Sequence, residues 1–249
     1  AMKGFREALA GFDSESSTAR KERLADPATR RSLREGLGTP DPSHPLSPDL
    51  ERWRLTFVPS QPERTGKTVA EVARIEGLDP IDLLCDQIVA DDLATLIDIP
   101  VLNLGREGIL ASLEDDSTLL ALGDAGAHVM SVTSYRYPTY LLETLVQQER
   151  ALPVETAIRR LTRDPALLHG LEDRGLLAEG LAADVCVIDP ERIALGPVAV
   201  VNDLPGEAPR LVQDGNGFRA VFVNGVQTID ADEPTGVRPG RMLRSAARG

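Results

Sequence analysis

The spacing of apolar and polar positions divides the chain into a helix-patterned part and a strand-patterned part. Ser16 to Arg34 reads as helical and heavily charged, with Thr18, Leu24, Ala25 and Leu33 as its few small or apolar anchors. Gly36 to Pro48, rich in Pro and Gly, reads as a loop. Trp53 to Val58 roughly alternates and predicts a strand. Thr68 to Glu76 is an amphipathic helix with Val69, Val72, Ala73 and Ile75 apolar, closed by Gly77. Asp79-Pro80 opens the next helix, with Pro at its first position and Ile81, Leu84, Cys85 and Ile88 inward. Gly105 to Leu113 is a short helix. Pro138 to Gln148 and Pro153 to Leu161 are helical, and Asp164-Pro165 opens a further helix that Gly170 ends. Thr118 to Leu122 is a short apolar run of the kind that suits a buried strand.

Beyond Ala183 the period changes to two. Asp184 to Ile188, Arg210 to Val212 and Ala220 to Val223 are short β runs, and Asn224-Gly225 is a strong hairpin signal. Strands alternating with helices predict an α/β architecture with a parallel sheet. The tail predicts a small antiparallel sheet or sandwich. The change of character falls between Gly170 and Ala183.

Composition narrows the function classes. Of 249 residues, 42% are hydrophobic and 27% charged, enough for a packed core. Aromatics make up only 4%, so that core rests on Leu, Val, Ile and Ala. A net charge of -12 repels phosphate backbones and anionic membranes, which argues against nucleic acid and membrane partners. No apolar run reaches the roughly 20 residues of a membrane helix, and the first residues have no signal-peptide core. Cys85 and Cys186 lie far apart without CxxC partners, and two buried free thiols in a reducing cytoplasm are expected.

The candidate chemistry lies between residues 123 and 137. Asp124 follows an apolar run and is flanked by Gly123 and Gly126, which let the backbone turn sharply toward a ligand. At the C-terminal face of a β/α barrel, a carboxylate there can take a proton from a metal-bound water and return it to a leaving amine. It can equally cap the next turn. His128, four residues on, is a structural residue or a member of the same site. Arg136, between Tyr135 and Tyr137, can grip a carboxylate through two parallel hydrogen bonds or lie on the surface. Only three His occur, without an HxH or HExxH pair, so a complete zinc site is not expected from this chain. The triplet Gly66-Lys67-Thr68 imitates a phosphate-binding loop, but Gln61 stands where its first glycine is needed.

Three segments together resemble the metal-dependent amidohydrolases, and among them the N-acyl-D-amino-acid deacylases (D-aminoacylase-like). They are Leu122-Gly123-Asp124-Ala125-Gly126-Ala127-His128; then Thr162-Arg163-Asp164-Pro165-Ala166 with Gly170 to Gly175, Gly180 and Ala183-Asp184-Val185; and finally Asp203-Leu204-Pro205, Val223-Asn224-Gly225, Thr235-Gly236 and Pro239-Gly240-Arg241. The resemblance implies the C-terminal part of a β/α barrel over residues 1–170 and a small β-sandwich portion over 171–249. It implies a zinc enzyme hydrolysing the amide of small N-acyl-D-amino acids. Asp124 would serve as proton shuttle and as a possible metal ligand, while His128 and Arg136 would bind substrate, Arg136 through the carboxylate. The family's other metal ligands precede the region that matches. The chain alone is therefore expected to be inactive and to bind no zinc, with a homo-oligomer or a missing N-terminal half as partner and its exposed strand edges covered by dimerisation or by rearranged helices. A cyclic imide or dipeptide substrate, or a non-catalytic interaction module on the same scaffold, are the competing readings.

Overall fold

A computed structural model of the chain describes residues 9–37, 49–100, 105–121, 129 and 134–244. They form two compact units, residues 1–106 and 107–249.

In the first unit the charged N-terminal pattern is two helices rather than one: α1 (Ser17–Ala25) and α2 (Pro27–Leu37). The break falls at Asp26-Pro27. Pro27 lacks the N–H that would continue α1 and is well suited to a first helical position. The Asp26 carboxylate accepts the Thr29 N–H (2.9 Å), which caps α2. The strand β1 (Arg54–Phe57) pairs antiparallel with β2 (Leu96–Asp98). Between them lie α3 (Val69–Glu76) and α4 (Pro80–Ala90). Thr68 and Glu71 form a reciprocal capping box on α3, and Gly77 closes it at φ 69°. The Gly66-Lys67-Thr68 triplet is thus a turn and helix cap, with Gly66 at φ 87°.

Two apolar clusters hold this unit. Trp53, Leu55 and Val58 pack on Val69, Val72, Ala73, Leu83 and Leu84. Leu24, Leu33 and Leu37 of α1 and α2 pack on Ile81 and Cys85 of α4. The ion pairs Arg30–Asp86 (2.5 Å) and Arg34–Asp79 (2.9 Å) join α2 to the middle and to the N-cap of α4 at the rim of that second cluster. They fix orientation more than they add stability.

A buried polar knot joins the end of α4 to the loop after β1. The Asp91 carboxylate, 6% exposed, accepts the Ser60 N–H (2.8 Å), the Thr95 hydroxyl (2.6 Å) and the Gln87 amide (2.9 Å). Burial pushes its pKa up, but the hydrogen bonds from Ser60, Thr95 and Gln87 outweigh that and hold it below the ordinary carboxylate value. A carboxylate with a lowered folded pKa binds fewer protons than its unfolded counterpart. Its contribution is therefore complete above the ordinary pKa of about 3.9 and is lost as pH falls through the folded value. Asp91→Asn is expected to cost about 1–3 kcal/mol at neutral pH, because an amide NH2 group then faces donors. It should also flatten the acid limb of stability. Urea midpoints measured for both proteins between neutral and acid pH test this, and parallel curves would refute it.

Both thiols are free. Cys85 is buried, and burial pushes its pKa up to about 11. Cys186 corrects the expectation of two buried thiols, since it is exposed. It lies on β3 (Val185–Ile188), an edge strand on which Cys186 and Val187 are both uncovered.

The second unit begins with α5 (Arg106–Glu114). Thr118 to Ala121 is not a strand, against the expectation for that run; it finds no ladder partner among the described residues, and Leu119 is exposed. A strand is stable only where a neighbour takes its N–H and C=O groups. Then come α6 (Tyr137–Tyr140), which runs directly into a π-helical segment (Leu141–Gln148), α7 (Val154–Leu161) and α8 (Arg163–Leu168). The helix read at 138–148 is therefore present but more widely wound in its second part. Leu141, Leu142 and Leu145 join Leu152, Ala157 and Ile193 in the core.

The β-rich tail holds the remaining strands. Here β4 (Ala194–Leu204) and β5 (Ala208–Asn216) form a long antiparallel ribbon. Edge strand β3 pairs with β6 (Phe218–Val223), followed by β7 (Val226–Asp230) and the short β8 (Glu233–Pro234). Asn224 and Gly225 make the β6–β7 turn with φ 49° and 78°, the left-handed pair that a two-residue hairpin favours. Every described strand pair is antiparallel, so the expected parallel sheet is not found among the described residues. None of the described helices is long and apolar enough to cross a membrane.

Candidate functional site

Of the candidate residues, Asp124 and His128 lie outside the described residues, and Arg136 lies within them. Described residues flank the stretch from 122 to 133 in the chain. On the near side, the buried Arg160 of α7 holds Thr118. Its Nη1 donates to the Thr118 carbonyl (2.8 Å), its Nε to Leu113 O (3.0 Å) and its Nη2 to Asp115 O (2.6 Å). Beyond it, β5 bonds to two described residues, Val129 and Tyr135. The Leu211 N–H donates to the Val129 carbonyl (2.8 Å), and the Gln213 N–H donates to the Tyr135 hydroxyl (2.6 Å). Residues 211 and 213 send their N–H groups to the same edge of the strand. That edge of β5 is thus bonded to Val129 and Tyr135.

Arg136 ends a short 3-10 turn (Ser134–Arg136) and precedes α6. The turn and helix sit against the ribbon. Thr139 is buried, and a Cβ at Gly215 of β5 would stand 2.7 Å from its hydroxyl oxygen, so only glycine lets α6 approach so closely. Arg136 Nη1 donates to Gln213 Oε1 (2.7 Å), and Gln213 Nε2 donates to the Gly196 carbonyl of β4 (2.7 Å). The Nε of Arg136 is buried and has no hydrogen-bond partner among the described residues.

Gln213 carried no signal in the sequence. It is 77 positions from Arg136, and only the register of β4 against β5, with Val198 opposite Gln213, sets its place.

The motif residues after Thr162 build structure. Arg174, buried, pairs with Asp184, and the second carboxylate oxygen of Asp184 accepts the Asn224 N–H (2.7 Å). Gly225 N–H bonds to Ala183 O (2.8 Å), and Asn224 Nδ2 to Pro239 O (3.0 Å). These residues clamp the β6–β7 turn to the connection before β3. Arg163 Nη1 adds bonds to the Glu172 (3.2 Å) and Arg174 (3.0 Å) carbonyls. His169 is exposed at the end of α8.

Among the described residues no three His, Cys, Asp or Glu side chains come together as a metal site would require. The described residues by themselves offer no ligand set for a metal.

The helices and antiparallel sheets make this a mixed α/β protein, with Arg136 held against the β4–β5 ribbon. Residues 51–229 match the model of the Amidohydrolase family, and the chain belongs to that family. It is 30% identical over 192 residues to an N-acyl-D-aspartate deacylase of Alcaligenes xylosoxydans xylosoxydans, covering 77% of this chain and 36% of that protein. It is 28% identical over 207 residues to an N-acyl-D-glutamate deacylase of the same organism, covering 80% and 37%. A solved structure of an N-acyl-D-glutamate deacylase from Bordetella bronchiseptica, complexed with zinc and a phosphonate inhibitor, is similar at 24% identity and a TM-score of 0.40, over 79% of this chain and 38% of that one. The chain thus spans little more than a third of the length of these relatives.

Proposed function

We propose that the protein, in its full natural length, is a zinc-dependent hydrolase of the amide bond of N-acyl-D-amino acids. The observation that carries this reading is the similarity, over more than three-quarters of the chain, to deacylases of N-acyl-D-aspartate and N-acyl-D-glutamate. In the same reading residues 1–170 belong to a β/α barrel and residues 171–249 to a β-sandwich portion. Zinc, when bound, would polarise the amide carbonyl and acidify water.

The roles of this chain's own residues follow from their chemistry. Water oxygen bonds to the amide carbon, and the carbon–nitrogen bond breaks. Asp124 takes one proton from the water and returns it to the departing amine, so an amine and a carboxylic acid leave, and the acid gives up its remaining proton to solvent. His128 lies on the same segment and contacts substrate. Arg136 holds the substrate's own carboxylate, which places the scissile amide relative to Asp124.

Asp124→Asn in the natural-length protein tests this. Turnover of N-acetyl-D-amino acids should fall by about 10²–10⁴-fold, the span of a lost general acid–base group. Bound zinc and the melting temperature should stay as in the wild type. Unchanged turnover refutes the role of Asp124, and a wild-type protein without hydrolysis of these substrates refutes the function.

A further inference from the structure

We infer that Gln213 is the positioning residue for Arg136: it turns the guanidinium so that the Nε edge is presented to a substrate carboxylate. The inference rests on the deacylase reading for the identity of that substrate, and its geometry rests on the β ribbon alone.

An arginine has two edges that can form a fork with a carboxylate. Elsewhere in this protein the fork is made by Nε together with Nη2. Arg210 grips Asp203 in this way (2.6 and 2.7 Å), and Arg64 grips Glu76 likewise (2.9 and 2.5 Å). At Arg136 the described bond is from the other nitrogen, Nη1, to Gln213 Oε1 (2.7 Å). Gln213 thereby occupies the position that would let the guanidinium rotate, and Nε has no partner among the described residues. A buried guanidinium nitrogen without a partner costs free energy, which a carboxylate accepting from it would remove. The planar fork suits a carboxylate.

Gln213 is itself held in place. Its backbone N–H is bound to the Tyr135 hydroxyl (2.6 Å) and its side-chain amide donates to Gly196 O (2.7 Å). Its Oε1 is therefore aimed, and the amide is not free to turn end over end. The bond from Nε2 to a carbonyl fixes which end faces Arg136, because only the oxygen end can accept from a guanidinium. The ribbon β4–β5 thus acts as a rigid ruler for the residue that binds substrate.

The test is Gln213→Ala in the natural-length protein, with Arg136→Lys beside it. For an N-acetyl-D-amino acid, KM should rise about tenfold in Gln213→Ala while kcat stays within about twofold, the mark of lost binding shared by ground and transition states. With the matching carboxamide, which has no carboxylate to hold, wild type and variant should be equal. Arg136→Lys should raise KM at least as much. Equal KM for the carboxylate substrate overturns the inference, and so does an equal loss on carboxylate and carboxamide, which reports general damage. If the wild type does not hydrolyse N-acyl-D-amino acids at all, the deacylase reading fails separately. The inference is then decided on the 249-residue chain by NMR of the Arg136 Nε–H during titration with N-acetyl-D-aspartate. A shift that Gln213→Ala weakens supports it, and no shift overturns it.

Discussion

Arg160→Met lowers the stability of the 107–249 unit by about 3 kcal/mol. The side chain is 2% exposed, yet it carries a charge. That is tolerable only because three backbone carbonyls take its protons: Leu113, Asp115 and Thr118. Leu113 lies in the last turn of α5, where free carbonyls carry the negative end of the helix dipole. Two carboxylates, Asp164 at 3.6 Å and Asp116 at 3.8 Å, balance the remaining charge. Methionine keeps most of the stem volume but donates nothing. The loss is then that of several acceptors left without their donor, each worth about 1–3 kcal/mol if it stays dry. The total stays below the sum because the 115–118 turn is near solvent and water reaches some of the carbonyls. Arg160→Lys should recover part of the loss, since one ammonium reaches fewer of the three carbonyls than a planar fork. Urea unfolding measures this as a lower midpoint at unchanged slope. A loss below about 0.5 kcal/mol, the range of ordinary surface changes, would sink the argument. The same contact holds Thr118 at the entry to the candidate loop, so a hydrolytic assay on the natural-length variant should also report weaker activity.

Gly217→Ala is the second large effect, at about 3 kcal/mol. Gly217 has φ 95°, and its carbonyl accepts the Asp189 N–H (2.8 Å). A Cβ there would stand 2.6 Å from Ile193 N, 2.7 Å from Ile193 Cα and 2.9 Å from Arg192 C. All three are backbone atoms, and Ile193 is anchored in the core with Leu141, Leu142 and Leu145. No flexible side chain can yield. The cost combines left-handed strain of about 1–2 kcal/mol with overpacking of about 1–3 kcal/mol. Gly180→Ala is the control: φ is 84°, but a Cβ there meets nothing within 4 Å. It should cost only the conformational part. Thermal or urea unfolding of the two variants separates strain from collision, and equal losses would show that collision contributes nothing.

Local signals in the chain proved legible where a few neighbouring residues decide the outcome. Thr68 with Glu71, Asp79-Pro80 and Gly77 bound their helices because capping depends on hydrogen bonds within four residues. Asn224-Gly225 turns a hairpin because both positions tolerate positive φ. Asp26-Pro27 is a signal of the same kind, but the reading of Ser16 to Arg34 as one helical stretch ran through it; the proline separates α1 from α2. Thr118 to Ala121 shows the opposite case. Apolar residues alone do not make a strand, because the ladder needs a partner that no local pattern specifies.

The site divides along the same line. Arg136 was recognisable as a carboxylate-binding type of residue next to a polar loop. Its orientation was not, because Gln213 reaches it only through the antiparallel register of β4 and β5 and through a glycine at 215 that admits α6. Arg174 and Asp184 belong to a run that marks the family, and the fold uses them to clamp a turn.

The sequence by itself thus determined the helices with their caps, the β6–β7 turn and the family, each encoded in short runs of residue types. Only the tertiary structure decided which strands pair, which thiol is buried, how a buried arginine is neutralised and what aims Arg136. Those outcomes depend on groups tens of residues apart, whose meeting is set by packing and register rather than by neighbours in the chain.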